Sequence, residues 1–335
     1  MDFHDFPQIL ERAYALRKSL NLEPHTTFYR LLNESETAGK LTLERIGQVG
    51  VLSLYANFSP VQELELAGML VDLTPLESVY LKRRPREARH RANVEREYLS
   101  PSEPLLGPHH PELEALEHGI RFRFRPGADL SIGLFSDMRP GRRWLREHAR
   151  GRVLNTFAYT CGLGLNAALE GHRVKNLDAS KKVLEWGKEN YRLNALEPHP
   201  QDFIFGDVFD WLGRLYKRGE RFETLVLDPP SFARGRGGVF RAERDYAGLV
   251  QLALKCLSQG GLLMVCTNHA GLSFQSFEKQ ILEGFTRAER GFKILERMGA
   301  GPDYGDDGAL KILILECASG YLDQSGTLFR TAKTP

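Results

Sequence analysis

Apolar residues recur along this chain in two rhythms, and the change between them comes near residue 150. Ile9, Leu10, Ala13, Leu16 and Leu20 fall at helical spacing and predict an amphipathic helix within residues 1–25. The runs TTFYRLLNE and LTLERIGQVGVLSLYANF, within residues 27–58, read as short strands. A helix is predicted from Pro60 to Val71, then the strand SVYLKRR. The segment LSPSEPLLGPHHPELE has four prolines in sixteen residues and reads as an irregular connection. GIRFRFRPG is a strand with alternating arginines. Residues 26–126 are thus expected to form a small α+β unit behind the helix of residues 1–25.

From Arg152 the pattern alternates. Strand-like RVLNTFAY, RVKNLDA, DFIFGD, FETLVLDPP and GLLMVCTN are separated by helical AALEG, KKVLEWGKENYRLNAL, VFDWLGRLYKR and DYAGLVQLALKCL, with SFQSFEKQILEGF following the last strand. Repeated βα units with near-continuous apolar strands predict a parallel sheet covered on both faces. FKILERM and ALKILILEC follow with no helix between them, so an antiparallel pair should finish the sheet. The α/β domain is placed at residues 127–335.

Composition narrows the function classes. With 335 residues, 42% apolar and 26% charged, the chain reads as a soluble two-domain protein. No run approaches the ~18 apolar residues of a membrane span, and the acid-bearing N-terminus is unlike a signal peptide. Cys161, Cys256, Cys266 and Cys317 are scattered, which points to reduced thiols in a cytoplasm and to no zinc site. His109-His110 lies in the Pro-rich stretch and reads as surface loop rather than metal site. Net charge is only +2, but Lys82 to Glu97 holds seven Lys/Arg against three Glu. Such a run either neutralises phosphates or forms a solvated helix face.

Ligands of open α/β sheets sit beyond the carboxyl ends of the strands, so those ends are the informative positions. The first strand of the α/β domain ends in Asn155-Thr156-Phe157-Ala158-Tyr159-Thr160-Cys161-Gly162-Leu163-Gly164, where glycines allow close backbone approach. Gly162-x-Gly164-x-x-Ala167 also passes as a degenerate dinucleotide fingerprint. The second ends in Asp178, then Ala179-Ser180. The acid can accept ribose hydroxyl protons, as in proteins that bind NAD or S-adenosylmethionine, or it can cap a helix. Asp207, before Val208 at the third strand's end, can accept an adenine amine, with the Val208 N–H and side chain beside the ring, or cap the next helix. The fourth ends in Asp228-Pro229-Pro230-Ser231-Phe232. Prolines fix φ and leave carbonyls free, so this stiff turn can hold a nucleobase edge while Phe232 stacks on its face. The fifth ends in Cys266-Thr267-Asn268-His269, with Asn268 facing the same cleft if this strand neighbours the fourth. His269 is open between a structural and a functional role. The loop Ala233–Gly238, with Arg234 and Arg236, reads as mobile and either clamps phosphate or has no role.

Taken together, these residues resemble the bacterial large-subunit ribosomal RNA methyltransferases that make 5-methylcytosine or 7-methylguanosine. The likeness covers residues 26–317. It is carried by Phe135-Ser136-Asp137-Met138-Arg139-Pro140, by Val153-Leu154-Asn155-x-Phe157-x-Tyr159-Thr160-x-Gly162 and by Asp178-x-Ser180. Further matches are Gly206-Asp207-Val208-Phe209, Asp228-Pro229-Pro230-Ser231-Phe232, Arg244-Asp245-Tyr246 and Gly260-Gly261. The resemblance implies a Rossmann-like class I methyltransferase sheet of seven strands ordered 3-2-1-4-5-7-6, a small N-terminal α+β domain that helps hold RNA, and S-adenosylmethionine as cofactor. It implies that Asp137, Arg139, Asn155, Phe157, Tyr159, Thr160, Gly162, Asp178, Ala179, Ser180, Asp207, Val208 and Asp228 bind the cofactor. Asp228, Pro229, Phe232 and Asn268 would act on the base.

Two departures shape the expected chemistry. Many relatives begin with a PUA-type RNA-binding domain, whereas here the helix of residues 1–25 precedes the central domain. Cytosine-C5 members carry a nucleophilic cysteine in an S-C-S segment after the fifth strand, and the aligned residue here is Asn268. Cys266 lies two positions earlier and is expected to pack in the core. Thr267-Asn268-His269 is nearer the S-N-N-like segment of the guanine-N7 members, and a base nitrogen needs positioning more than covalent catalysis. Nitrogen methylation of an RNA base, ribosomal by the resemblance, is therefore expected, with no metal. A non-catalytic RNA-binding factor and a dinucleotide-dependent oxidoreductase are the alternatives. RNA is the expected partner, a homodimer is left open, and no membrane is expected.

Overall fold

A computed structural model describes residues 3–84, 95–235, 238–306, 308–318, 321–322 and 328–329. The chain divides into two units, one of residues 1–137 with 301–307 and one of residues 138–300 with 308–335.

In the first unit, helix α1 (Phe6–Ser19) buries Phe6, Leu10, Ala13 and Arg17. The apolar spacing alone would have put Leu16 inward, but it is 54% exposed, and Arg17 takes the buried stripe instead. The guanidinium is accommodated because both Glu36 carboxylate oxygens accept from it and Asp303 O accepts at 3.0 Å. Strands β1 (Phe28–Leu32), β2 (Leu41–Ile46), β3 (Val49–Leu54) and β4 (Ser78–Arg83) form one sheet in that order. β3 and β4 run parallel, and helix α2 (Pro60–Leu73) makes the crossover, started by Pro60 and by a reciprocal Ser59–Gln62 cap. After the short helix α3 (Arg96–Leu99), β5 (Leu113–Glu117) and β6 (Ile120–Phe124) form a hairpin. Its two turn residues, His118 and Gly119, have φ of 49° and 79°, the twist that right-handed strands require of a two-residue loop.

The segment 301–307 supplies the first unit with further partners. The Arg30 backbone N–H donates to Asp303 Oδ2 at 2.8 Å, and Asn33 Nδ2 donates to the Asp303 and Tyr304 carbonyls at 3.1 and 2.9 Å. Asp303 is 1% exposed, so these bonds sit away from water, where an unmade partner is costly.

The described part of the basic run is engaged internally. Lys82 is buried, its ammonium donating to Ser100 Oγ and Pro126 O. Arg83 forks onto Glu63, and Arg84 donates to Leu130 O at 2.7 Å. Residues 85–94 lie outside the described residues. Burial, reinforced by Arg84, pulls the Lys82 amine down to about 8. A depressed folded value contributes stability that is present above the ordinary lysine value and lost as pH falls through about 8. Lys82 should therefore contribute a climb in stability from about pH 8 upward. Lys82→Met should flatten that climb, and a variant melting with the wild-type pH profile would refute the assignment.

The second unit opens with helix α4 (Arg139–His148) and continues β7 (Val153–Thr156), α5 (Gly162–Leu169), β8 (Val174–Asp178), α6 (Lys181–Leu193), β9 (Phe203–Phe205), α7 (Val208–Lys217) and β10 (Phe222–Leu227). A strand pair β11 (Phe232–Gly235) and β12 (Gly238–Arg241) follows, then α8 (Tyr246–Leu254), β13 (Leu257–Thr267), α9 (Phe274–Arg287), β14 (Gly291–Met298) and β15 (Lys311–Ala318). The sheet order is β14-β15-β13-β10-β7-β8-β9. Read from the other edge, this is the order 3-2-1-4-5-7-6 that the resemblance implies. β7 to β10 and β13 are parallel, and β15 is antiparallel to both its neighbours.

Strand alternation sends Leu154, Leu177, Ile204, Leu225 and Leu263 to the face covered by α7, α8 and α9. Val153, Val174, Val226, Leu262 and Met264 go to the face covered by α4 and α5. The segment after the Asp228-Pro229-Pro230 turn is an antiparallel pair, with Phe232 opposite Arg241 and Gly235 opposite Gly238, where the sequence alone predicted a mobile loop. Residues 236 and 237 lie outside the described residues. No helix among the described residues is long and apolar enough to cross a membrane.

Candidate active site

Five parallel strands must end at one edge of the sheet, and their registers fix which residues meet there. Leu227 pairs with Thr156 on one side and Val265 on the other, Thr156 pairs with Leu177, and Asp178 pairs with Phe205. The tips therefore line up as Asn268, Asp228, the loop from Phe157, Asp178 and Asp207. Asp178, Asp207 and Asp228 share one edge.

The loop after β7 is held in unusual backbone. Phe157, Tyr159 and Cys161 have φ of 54°, 49° and 62°. Each such non-glycine residue costs roughly 1–2 kcal/mol, so surrounding contacts must impose the shape. Asp178 is the main one. Its Oδ2 accepts the Tyr159 N–H at 2.8 Å and its Oδ1 accepts the Ser180 N–H at 2.8 Å. A carboxylate oxygen has two lone pairs, so both keep capacity for further donors. Burial raises the Asp178 carboxyl above the ordinary aspartate value, and the N–H bonds from Tyr159, Ser180 and Ala179 work against that rise. Thr160 O accepts from Asn190 Nδ2 at 3.1 Å and Gly162 O from Asn166 Nδ2 at 2.9 Å.

Asn155 lies deeper than its motif suggests. It is fully buried and donates to Asn176 Oδ1 at 2.9 Å, while Asn176 donates to the Tyr191 hydroxyl at 3.0 Å. A Cβ on Gly164 would come 2.1 Å from Asn176 Oδ1, so this glycine exists to let α5 pack on the polar ladder. Ser180 caps α6 by accepting the Val183 N–H at 3.4 Å, and Ala179 is exposed beside it. Asp207 Oδ1 accepts the Asp210 N–H at 3.1 Å, which makes Asp207 the cap of α7, with Val208 buried behind it. Arg139 is buried at the start of α4. Asp137 is the last residue of the first unit's main segment, and its charge acts on Arg30 there.

At the other end of the row, Pro229 is buried and Pro230 exposed. Ser231 Oγ donates to Asn268 Oδ1 at 3.3 Å, tying the turn to the tip of β13. Phe232 is 49% exposed. His269 pairs with Glu243 at 3.2 Å, and its carbonyl accepts from Lys311 Nζ at 3.2 Å.

Two further residues on this edge carry weak sequence signals. Tyr246 is fully buried, its hydroxyl donates to Cys266 O, and burial plus the Asp228 charge push its hydroxyl far above the usual range. An apolar helix start disguised it. Phe205, 59% exposed at the β9 tip, looked like an ordinary strand residue. Aromatic edges also link Phe157, Phe209, Phe240 and Tyr246 at centroid separations of 6.4, 5.8 and 5.5 Å, so the strand pair after the turn is braced against the β7 loop.

All four cysteines are free and buried, and burial holds the Cys161 thiol far above its usual value. No cluster of His, Cys, Asp or Glu able to hold a metal occurs among the described residues.

Residues 43–315 match the family model of S-adenosylmethionine-dependent methyltransferases. The chain is 28% identical to ribosomal RNA large subunit methyltransferase I of Erwinia tasmaniensis over 91% of its length and 76% of the relative's. It is 29% identical to the protein of that name from Escherichia coli strain K12, with the same coverage. Among solved structures, SMU.776, described as a methyltransferase and complexed with SAH, has a TM-score of 0.82 and 25% identity, covering 94% of this chain and 82% of that one. A SAM-dependent methyltransferase structure from Streptococcus mutans gives the same values.

Proposed function

The chain belongs to the S-adenosylmethionine-dependent methyltransferases, and on that premise we propose that it methylates a nitrogen of a base in large-subunit ribosomal RNA. RNA as substrate is supported by the names of the relatives, ribosomal RNA large subunit methyltransferases matched over 91% of this chain. A cytoplasmic setting follows from that substrate.

The row of strand tips fits the cofactor. Asp178 has oxygens with spare acceptor capacity beside a loop pinned in shape, as a ribose diol requires. Asp207 uses Oδ1 for its cap, leaving Oδ2 for an adenine amine, with the Val208 N–H beside it. Asn155 contributes from behind, by fixing the strand from which the loop springs. When bound, the cofactor supplies a methyl group on a sulfonium, already electrophilic.

The protein's task is then to place and orient the base. Asp228 can accept from a ring or amino N–H, Pro229 and Pro230 offer rigid carbonyls, and Asn268 presents an amide. Phe232, half-exposed, offers a face for stacking. Holding the acceptor nitrogen in line with the methyl is the main catalytic contribution such a site makes.

The observation that carries nitrogen over carbon is the state of the thiols. Cytosine C5 needs a thiolate to attack the ring, yet Asn268 stands at the tip and Cys266 is fully buried in the layer under α4. Cys266→Ala should therefore keep turnover within about threefold, a change of under 1 kcal/mol, and mass spectrometry of the product should locate the methyl on nitrogen. Abolished turnover in that variant, or a 5-methylcytosine product, would refute this chemistry. Comparing rRNA from cells with and without the gene tests the substrate: no methyl group lost would turn the reading toward a non-catalytic RNA-binding factor.

A further inference from the structure

We propose that the outer face of α7 is a contact surface for the RNA strand flanking the target nucleotide, an inference that rests on RNA being the substrate. α7 buries Val208, Leu212 and Leu215 against the sheet, which turns the intervening positions outward. On that outer side stand Trp211, Arg214, Lys217 and Arg218, with Tyr216 and Arg221 continuing the series. The Arg214 and Arg218 guanidiniums lie 5.3 and 5.4 Å from the centre of the Trp211 ring, and Arg221 lies 5.0 Å from that of Tyr216.

The cations of α7 are close together and lack a paired carboxylate among the described residues. On α4 and α9, Arg143 pairs with Glu147 at 2.8 Å and Arg287 with Glu283 at 2.6 Å, whereas Asp210, one turn before Arg214 on α7, forms no such pair with a described residue. Among the described residues, Arg214, Lys217 and Arg218 pair with no carboxylate. The nearby Glu220 is taken by Arg152 at 2.7 Å and Lys175 at 3.9 Å, so it is occupied elsewhere. A chain with a net charge of only +2 thus concentrates three unpaired cations on one exposed turn.

The aromatic component is fixed in place. Trp211 Nε1 donates to Phe205 O at 3.2 Å, and its ring covers Gly206, where a Cβ would stand 2.2 Å from that nitrogen. A guanidinium stacked on an aromatic ring keeps its in-plane N–H groups for phosphate. Interleaved cations and aromatic rings suit a polynucleotide, whose phosphates and bases alternate along the strand. α7 begins at Asp207, on the tip edge that carries Asp178 and Asp228, and descends the flank of the sheet, so its cations stand on the last turns, away from the tips, and a strand reaching them would run down the helix past Trp211.

The test is binding of a fluorescent single-stranded RNA oligonucleotide, followed across salt, for wild type and for Arg214→Gln/Lys217→Gln/Arg218→Gln. Losing three phosphate contacts on a single strand should reduce the slope of log affinity against log salt by about 2 and weaken binding roughly tenfold at low salt. Affinity for SAH should stay unchanged. Arg214→Lys/Arg218→Lys should restore most of the slope, which a merely structural role would not do. A triple variant with wild-type affinity and slope, in an enzyme that methylates rRNA, would overturn the surface and spare the substrate. The opposite pattern, no methylation of rRNA but a slope lost in the variant, would spare the surface. Lost binding to phosphatidylserine vesicles with RNA affinity intact would also overturn it.

Discussion

Asp228→Ala should lower turnover by roughly 10²–10³-fold, the scale expected when one preorganised polar partner of the reacting group is removed. SAH affinity should change by less than tenfold, because Asp178 and the β7 loop, two and one strands away in the tip row, are the groups proposed to carry most of the cofactor contacts. Three contacts besides the carboxylate hold the turn that presents Asp228: Pro229 is buried, Ser231 is tied to Asn268, and the Ala242 N–H donates to Ser231 O at 3.0 Å. Alanine at position 228 therefore removes the acceptor while these contacts still hold the turn. Single-turnover kinetics and calorimetry with SAH would separate the two effects. Undiminished turnover would remove Asp228 from the reaction, and a matching collapse of SAH binding would reassign it to the cofactor.

Asp178→Ala should act on the other half of the site. SAH affinity is expected to fall about 10²-fold, since hydrogen bonds to a charged acceptor are worth about 1.5–3 kcal/mol each. The same substitution strands the Tyr159 and Ser180 N–H groups and releases a loop with three positive φ angles, so unfolding should come about 2–4 kcal/mol sooner. The pH dependence has two opposite signs. Because burial raises the Asp178 carboxyl, cofactor affinity should begin to fall, on acidification, at a higher pH than an ordinary aspartate would give. The contribution of the same titration to stability is present in full below the ordinary value and lost as pH rises through the raised one. Isothermal titration from pH 7 downward checks the first sign, and wild-type affinity for the alanine variant would remove Asp178 from the cofactor site.

The parts of this fold legible in the sequence are those encoded locally. Apolar runs set the βα units, and acids placed just after them, Asp178, Asp207 and Asp228, identified the edge where the tips gather. What escaped reading depends on distant partners. Helix α4, RPGRRWLREH, is too charged to look like a buried helix, yet Trp144 and Leu145 pack against the sheet. The segment after Asp228-Pro229-Pro230 looked mobile because it is rich in glycine. Its strand pairing is favoured by Phe240, buried between Phe209 and Tyr246, and no local pattern announces that contact. Asn155 sits in a motif beside cofactor-type residues, but its side chain belongs to a buried amide ladder with Asn176 and Tyr191. Arg17 continues the stripe of Phe6, Leu10 and Ala13, but its charge hid it behind the adjacent Leu16, which lies about 100° around the helix. The dinucleotide alternative rested on Gly162-x-Gly164-x-x-Ala167 with Asp178 downstream, and Gly164 serves packing on Asn176.

The reach of residues 301–307 into the first unit has a consequence for synthesis. Arg17, Arg30 and Asn33 emerge from the ribosome more than 260 residues ahead of Asp303 and Tyr304, whose backbone and carboxylate oxygens they need. Until that late segment arrives, the nascent N-terminal half holds polar groups prepared for an interior without their partners. Final consolidation of the amino-terminal domain therefore waits for a segment synthesised long after it, and vectorial folding from the N-terminus pauses one step short of completion until that segment arrives.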